Sequence, residues 1–275
     1  MSGKAGTSGE GEHQHPLVEG PATIISWLTI FPAKGANVFD RTTGARAMAA
    51  LPVTGFVVGA VAALAAYLLD SVATPLLTGA ITVFAFEMLT RMMHIDGLAD
   101  VGDALGSYAT PARAQEILAD ATTGAMGLGT VVLVLLLQVA AVAEIATQAS
   151  PVSTGFAVLL VATIARLSGM VGCLSGFRPF SANGFGSLII GTVRWWWILA
   201  WALVLAAGLA AYGVGVDKQC ALGGALALGL APALAWFFVR HCHRRFAGLN
   251  GDCIGASIEL AAAVAATAIG LVLSL

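Results

Sequence analysis

GAMGLGTVVLVLLLQVAAVAEIAT, residues 124–147, carries a single ionisable side chain, Glu144, in twenty-four positions. A surface helix of a soluble domain repeats polar residues along one face, and this stretch has no such face. At about 1.5 Å per residue it is long enough to cross the roughly 30 Å hydrocarbon layer of a bilayer. Comparable runs lie at 50–69, 72–93, 152–175, 195–216, 219–239 and 254–275, which makes seven expected spans. The whole chain agrees with them. Of 275 residues 58% are hydrophobic and 10% charged, with a mean hydropathy of +0.88, whereas a soluble chain carries about 25% charged residues. A soluble globule is excluded, and the expected fold is an all-α, polytopic integral membrane helical bundle whose partner is the lipid bilayer.

Between the spans the sequence is less uniform. Small residues such as Gly55, Gly59, Gly208 and the Gly223-Gly224 pair let neighbouring helices approach closely. The segment PATIISWLTIFPA, 21–33, is too short to span; Trp27, Phe31, Pro21 and Pro32 point to a short helix lying at the interface. Residues 1–20 are polar and Gly-rich, without the apolar run of a signal peptide, and read as a flexible leader to a single membrane domain, 21–275. Thirteen Lys and Arg against fifteen Asp and Glu leave a net charge of −2, so nucleic acid is not an expected partner.

Cationic residues set orientation, because Lys and Arg are retained on the cytoplasmic side. With seven spans, twelve of the thirteen fall on one side: Lys4, Lys34, Arg41, Arg46, Arg91, Arg113, Arg166, Arg178, Arg194, Arg240, Arg244 and Arg245. Lys218 alone falls on the other. The expected N-terminus and the connections 94–123, 176–194 and 240–253 are therefore cytoplasmic, in a cytoplasmic (inner) membrane, with the C-terminus outside. Cys173, Cys220, Cys242 and Cys253 form no CxxC pair. His241-Cys242-His243 with Cys253 has no standard zinc spacing, so the cysteines read as small core residues and the histidines as part of a basic juxtamembrane segment.

The carboxylates show where chemistry resides. After span two comes HIDGLADVGDALG, His94 to Gly106, which reads as a direct continuation of that helix. Asp96, Asp100 and Asp103 stand at i, i+4 and i+7, on one helical stripe, where like charges repel unless a cation lies among them. EILADATTGAMG, Glu116 to Gly127, repeats the spacing with Glu116 and Asp120. Two acidic stripes at one membrane face suit hard divalent cations; Mg²⁺ in particular takes few carboxylates together with waters and substrate phosphate oxygens. A solvated acidic loop balancing nearby arginines is the plain alternative. Asp252 opens span seven, either as a helix cap or as a site residue, and Glu259 follows one heptad on. Glu87, Glu144, Arg166 and Glu259 are ionisable groups inside spans, where they are costly and usually face a polar interior.

These strings, HIDGLADVGDALG, EILADATTGAMG and GDCIGASIEL at 251–260, together resemble the cobalamin synthase family, the adenosylcobinamide-GDP ribazoletransferases. ARAMAALPVTGFVVG at 45–59 looks like the family's first span, and the Arg166 neighbourhood and FRPFSANGFG at 177–186 look like further counterparts. The resemblance implies an integral membrane, Mg²⁺-dependent transferase. It would join adenosylcobinamide-GDP to α-ribazole or α-ribazole 5′-phosphate and release GMP, the last step of nucleotide-loop assembly in cobalamin biosynthesis. Two positions depart from the family pattern: Thr122 stands where an Arg is common, and Ala104 where Gly is common. Arg91, Arg113 and Arg178 are candidates to replace that Arg at phosphate.

On this reading the metal set is Asp96, Asp100, Asp103, Glu116 and Asp120. His94, Asp96, Asp100, Asp103 and Asp120 are the catalytic candidates, with His94 or Asp120 as the base. Arg91, Arg166, Arg178, Asn183, Gly184, Gly186 and Asp252 are the substrate-binding candidates, and the loop 177–186 is the expected lid over the corrinoid. A CDP-alcohol phosphotransferase is the enzymatic alternative, but its Ala-Arg after the first Asp-Gly block is missing, since Ala99 precedes Asp100. A cation transporter is the alternative from another class, and it would place acids near the bilayer midplane.

Overall fold

Proline and small polar residues open most of the helices. The computed structural model describes residues 12–275; residues 1–11 of the leader expected over 1–20 lie outside the described residues. Helix α1 (Pro16–Leu28) begins on proline, earlier than the interfacial segment 21–33, so Pro16 to Gly20 form its first turn rather than the end of a leader. Proline is well placed there, because its missing N–H would have had no helical partner. Glu19 is buried and bonded to Arg46 at 3.1 Å, which fixes α1 to α2 (Arg41–Ala49).

The spans follow as α3 (Leu51–Asp70), α4 (Pro75–Leu89), α7 (Ala125–Gln148), α8 (Pro151–Gly169), α10 (Trp195–Gly215), α11 (Lys218–Arg245) and α12 (Gly251–Leu273). A 3-10 turn, Met170–Cys173, extends α8. Between them lie α5 (Met93–Gly106), α6 (Pro111–Leu118) and the short α9 (Phe185–Ile189). Thr74, Ser150 and Asp217 accept backbone N–H groups at the starts of α4, α8 and α11, satisfying donors that a helix leaves open. These caps sit in short turns at one end of the bundle. The long connections, including α5, α6 and the loop holding α9, are all at the other end.

Six helices are long and apolar enough to span alone, and α4 with α5 makes a seventh only as a pair bent by 92°. The helix expected to continue from span two into the aspartate string therefore breaks at residues 90–92. Alone, the fifteen residues of α4 reach about 22 Å at 1.5 Å per residue, short of a full hydrocarbon layer.

Helix α8 is central, buried along nearly its whole length, and packs against α3, α11 and α12; α12 in turn packs against α5, α7 and α11. Leu209 is the one buried residue of α10, whose Trp195, Trp197, Leu203 and Val204 point outward as a lipid-facing surface. The loop 174–194 is irregular yet tied down. Ser175 N–H donates to Val193 at 2.8 Å, and Phe180 and Leu249 exchange backbone bonds with the neighbouring strand of chain, Phe180 N–H to Leu249 at 3.1 Å and Leu249 N–H to Arg178 at 3.0 Å.

Candidate active site

The break before α5 is what creates the site. Arg91 and Met92 adopt the left-handed region at φ 58° and 56°, which costs of order 1–3 kcal/mol for each non-glycine residue. The turn is held by Met92 N–H on the Glu87 carbonyl at 2.8 Å and by Thr90 Oγ1 on the Phe86 carbonyl at 2.9 Å. The Arg91 guanidinium donates to the Trp27 carbonyl, anchoring the turn to α1. Helix α5 then runs across the first turns of α12 and α7 at the face of the bundle.

At the first crossing Gly97 lies on Asp252: a Cβ there would stand 2.8 Å from the Asp252 Cα. This contact brings Asp252 beside Asp96 and Asp100. Burial first, then the charges of Asp252, Asp96, Asp103 and Asp120, push the Asp100 carboxyl up to about 6. Five aspartates from α5, the 119–124 turn and α12 thus share one field. Among the described residues none of the five forms an ion pair with Lys, Arg or His. Nor are three or more His, Cys, Asp or Glu side chains grouped so as to hold a metal ion unaided.

The individual roles differ from a uniform ligand stripe. Asp103 uses both oxygens on the start of α7, accepting Gly124 N–H at 2.6 Å and Gly127 N–H at 2.8 Å. It caps a helix whose own N-cap residue, Gly124, has no side chain to do so. Asp120 accepts both the Thr122 N–H at 3.0 Å and the Thr122 hydroxyl at 2.7 Å, and these bonds hold its carboxyl below the ordinary range. Thr122, the departure from the family pattern, therefore orients Asp120. Glu116 is exposed and paired with Arg113 at 2.6 Å; its charge is not among those acting on Asp100.

The other candidates separate into two groups. Arg178, Asn183, Gly184 and Gly186 lie on the loop beside Asn250 to Asp252: a Cβ on Gly186 would meet the Asn250 Cα at 3.3 Å, while Arg178, Asn183 and Gly184 are exposed. Arg91 is exposed at the α1 edge of the same face. His94 and Arg166 are not on that face; both are buried. They belong to an interior polar layer with Glu87, Gln138 and Glu259. Gln138 Nε2 donates to Glu259 Oε2 at 2.8 Å and to the Glu259 carbonyl at 3.1 Å. His94 Nδ1 stands 3.7 Å from Glu259 Oε1, too far for a hydrogen bond. Among the described residues neither nitrogen of His94 has a hydrogen-bond partner. The four cysteines are free and buried, as expected of core residues.

Sequence reasoning missed Asn250, which accepts Cys253 N–H at 3.1 Å and donates to the Asp252 carboxylate, and Gln138, an isolated amide in an apolar span. The Asn-Gly-Asp string at 250–252 carried the cap signal; nothing in the sequence marked the partner of Gln138.

Comparison with known proteins places the whole chain in one family. The family described as cobalamin-5-phosphate synthase matches residues 20–270. An adenosylcobinamide-GDP ribazoletransferase of Corynebacterium efficiens is 46% identical, over 97% of this chain and 96% of its own length. One from Corynebacterium diphtheriae is 38% identical over 99% of this chain and all of its own, and one from Frankia casuarinae is 32% identical over 88% and 90%. No solved structure matches the chain. A family match over nearly the full length and relatives of the same length leave one assignment: this chain belongs to the cobalamin-5-phosphate synthase family.

Proposed function

We propose that the chain is the adenosylcobinamide-GDP ribazoletransferase of cobalamin biosynthesis, acting at the cytoplasmic face of the inner membrane. The observation that carries this reading is the field of five aspartates without a paired cation, on a chain of this family. Family membership sets aside the CDP-alcohol phosphotransferase and the cation transporter.

A ribose hydroxyl of α-ribazole, or of its 5′-phosphate, attacks the phosphorus on the cobinamide side of the diphosphate. The new P–O bond forms as the bond to GMP breaks, and GMP leaves with the second phosphate. The hydroxyl proton passes to a carboxylate. Asp100, pushed up to about 6, has the proton affinity for that task, since a base works best near the operating pH. Asp120 is a weaker base, because Thr122 holds its carboxylate ionised. Buried His94 is withdrawn from the face.

Mg²⁺ suits this donor set: Asp96, Asp120 and Asp252 would hold it beside the proton-accepting Asp100, with waters and substrate phosphates completing its shell. When bound, it neutralises charge on the diphosphate oxygens. Asp103 acts from behind by fixing α7 against α5. Arg178 and Arg91 flank the site as cations for the remaining phosphate charge, and the cation bias of the long connections supports a cytoplasmic orientation.

The test is GMP release by the purified chain from adenosylcobinamide-GDP and α-ribazole. Release should stop with chelator and return with Mg²⁺. Asp96→Ala, Asp100→Ala and Asp120→Ala should each fall to background, while Asp70→Ala, at the opposite end of α3, stays active. Full activity in a motif variant would remove that residue from the set.

A further inference from the structure

Beside the aspartate face is a cavity that the reaction as described leaves unused. It encloses about 130 Å³ between α1, α2, α3, α5, α9 and α12. Met48, Leu51, Ile189 and Ile258 wall it, each almost fully buried, and Phe185 of the 177–186 loop closes one side. Two polar side chains interrupt this apolar wall. One is His94, buried and, among the described residues, without a hydrogen-bond partner on either nitrogen. The other is Asp252, which belongs at the same time to the carboxylate field.

Leu28, Met93 and Phe185 are shared with a second, more open recess of about 410 Å³. Aromatic rings shape it: Trp27 stacks on Phe39 at 6.2 Å and meets Phe185 edge-on at 5.1 Å. The two spaces adjoin at these three side chains, the outer one aromatic, the inner one aliphatic and bordered by Asp252 of the carboxylate field.

A corrin ring is far too large for the inner space. Guanine is flat enough, but every edge of it carries donors or acceptors, and this wall offers His94 and Asp252 to meet them; buried polar groups left unmatched weigh against binding. The base of α-ribazole is a dimethylbenzimidazole, two fused rings with a methylated, wholly apolar end and one free ring nitrogen. An apolar protein cavity of about 150 Å³ lined by Leu, Ile and Phe is known to take benzene, so the inner cavity matches the methylated ring, with the rest of the base in its mouth.

We propose that this cavity is the subsite for the alkylated aromatic base of the nucleoside acceptor, with its ribose directed toward Asp252 and the carboxylates. The proposal rests on the transferase reading above. Phe185 then serves the base, and Met48 and Ile258 set how large and how apolar a base is accepted.

The experiment uses the full chain in detergent with both substrates, GMP release being the readout. Free dimethylbenzimidazole should inhibit competitively against α-ribazole and not against adenosylcobinamide-GDP. Ile258→Phe, which fills the cavity, should raise KM for α-ribazole about tenfold or more, as a misfitted apolar pocket does, with KM for adenosylcobinamide-GDP unchanged. Ile258→Val, a smaller change that keeps the helix apolar, should narrow the preference for α-ribazole over its demethylated analogue by about threefold or more. Competition by guanosine against adenosylcobinamide-GDP that Ile258→Phe abolishes would give the cavity to the leaving nucleotide and overturn the proposal. So would Ile258 variants that leave both KM values and the base preference unchanged, as a cavity filled by lipid would. A wild-type chain that releases no GMP would instead sink the transferase reading.

Discussion

Asp103 and Gly127 join two helices at one point: the Asp103 Oδ1 accepts the Gly127 N–H at 2.8 Å, while Oδ2 takes that of Gly124 at 2.6 Å. A carboxylate in this position satisfies two open donors and meets the positive end of the α7 dipole. Its neighbour on the stripe, Asp100, has no such partner and is surrounded by like charge.

The two aspartates should therefore fail differently. Asp103→Ala should cost about 1–2 kcal/mol of stability, the usual cost of losing a helix cap, and lower activity with it. Asp100→Asn should leave melting unchanged or raised, because repulsion is relieved, and abolish GMP release. Thermal denaturation in detergent beside the activity assay distinguishes them.

Stability and activity should move in opposite directions with pH. The Asp100 carboxyl binds its proton more tightly folded than unfolded, so its contribution to stability is fully present below the ordinary carboxylate range and is lost as pH rises through about 6. Metal-free protein should accordingly melt higher at pH 5 than at pH 7, and Asp100→Asn should flatten that difference. Turnover should fall as pH drops, because a protonated Asp100 carboxyl no longer takes the hydroxyl proton.

Gly97→Ala is the sharpest test of the α5–α12 crossing. The added Cβ would stand 2.8 Å from the Asp252 Cα and 2.9 Å from its carbonyl oxygen, so the helices must separate, at about 1–3 kcal/mol for overpacking. Activity should drop by more than stability explains, since Asp252 moves away from Asp96 and Asp100. Gly129→Ala is the control: among the described residues its added Cβ meets nothing within 4 Å beyond its own turn of helix, and removing a mid-helix glycine should stabilise by about 0.5–1 kcal/mol.

Gln138→Leu should destabilise the bundle by about 1–3 kcal/mol, because Glu259 loses the amide that donates to both its carboxylate and its carbonyl. Gln138→Glu should be worse, adding a further carboxylate to the Glu87 and Glu259 already in that layer. Denaturation midpoints of the two variants check the order.

Orientation is testable by labelling single cysteines after replacement of the four buried native ones. A cysteine at Asn183 should react from the cytoplasmic side and one at Asp217 should not. Reaction at 217 from that side would overturn the topology.

The sequence by itself determined that this chain spans a membrane repeatedly, because uninterrupted apolar runs of bilayer length have no other stable solvent. It also gathered the aspartates of 96–103 and 120 and most cations in connections between the same span ends. Helical spacing placed three aspartates on one stripe but could not divide their labour. Asp103 became a cap because α7 begins beside it, Asp120 acquired Thr122, and Glu116 turned away to Arg113. Only the tertiary structure broke the chain at Arg91 and Met92, against the local preference of both residues, and laid α5 across α12. That crossing added Asp252 to the field, set His94 against α12 in a buried layer, and left the cavity beside Phe185. Each of these outcomes depends on contacts between segments far apart in the chain, where packing and burial outweigh the local pattern that a sequence displays.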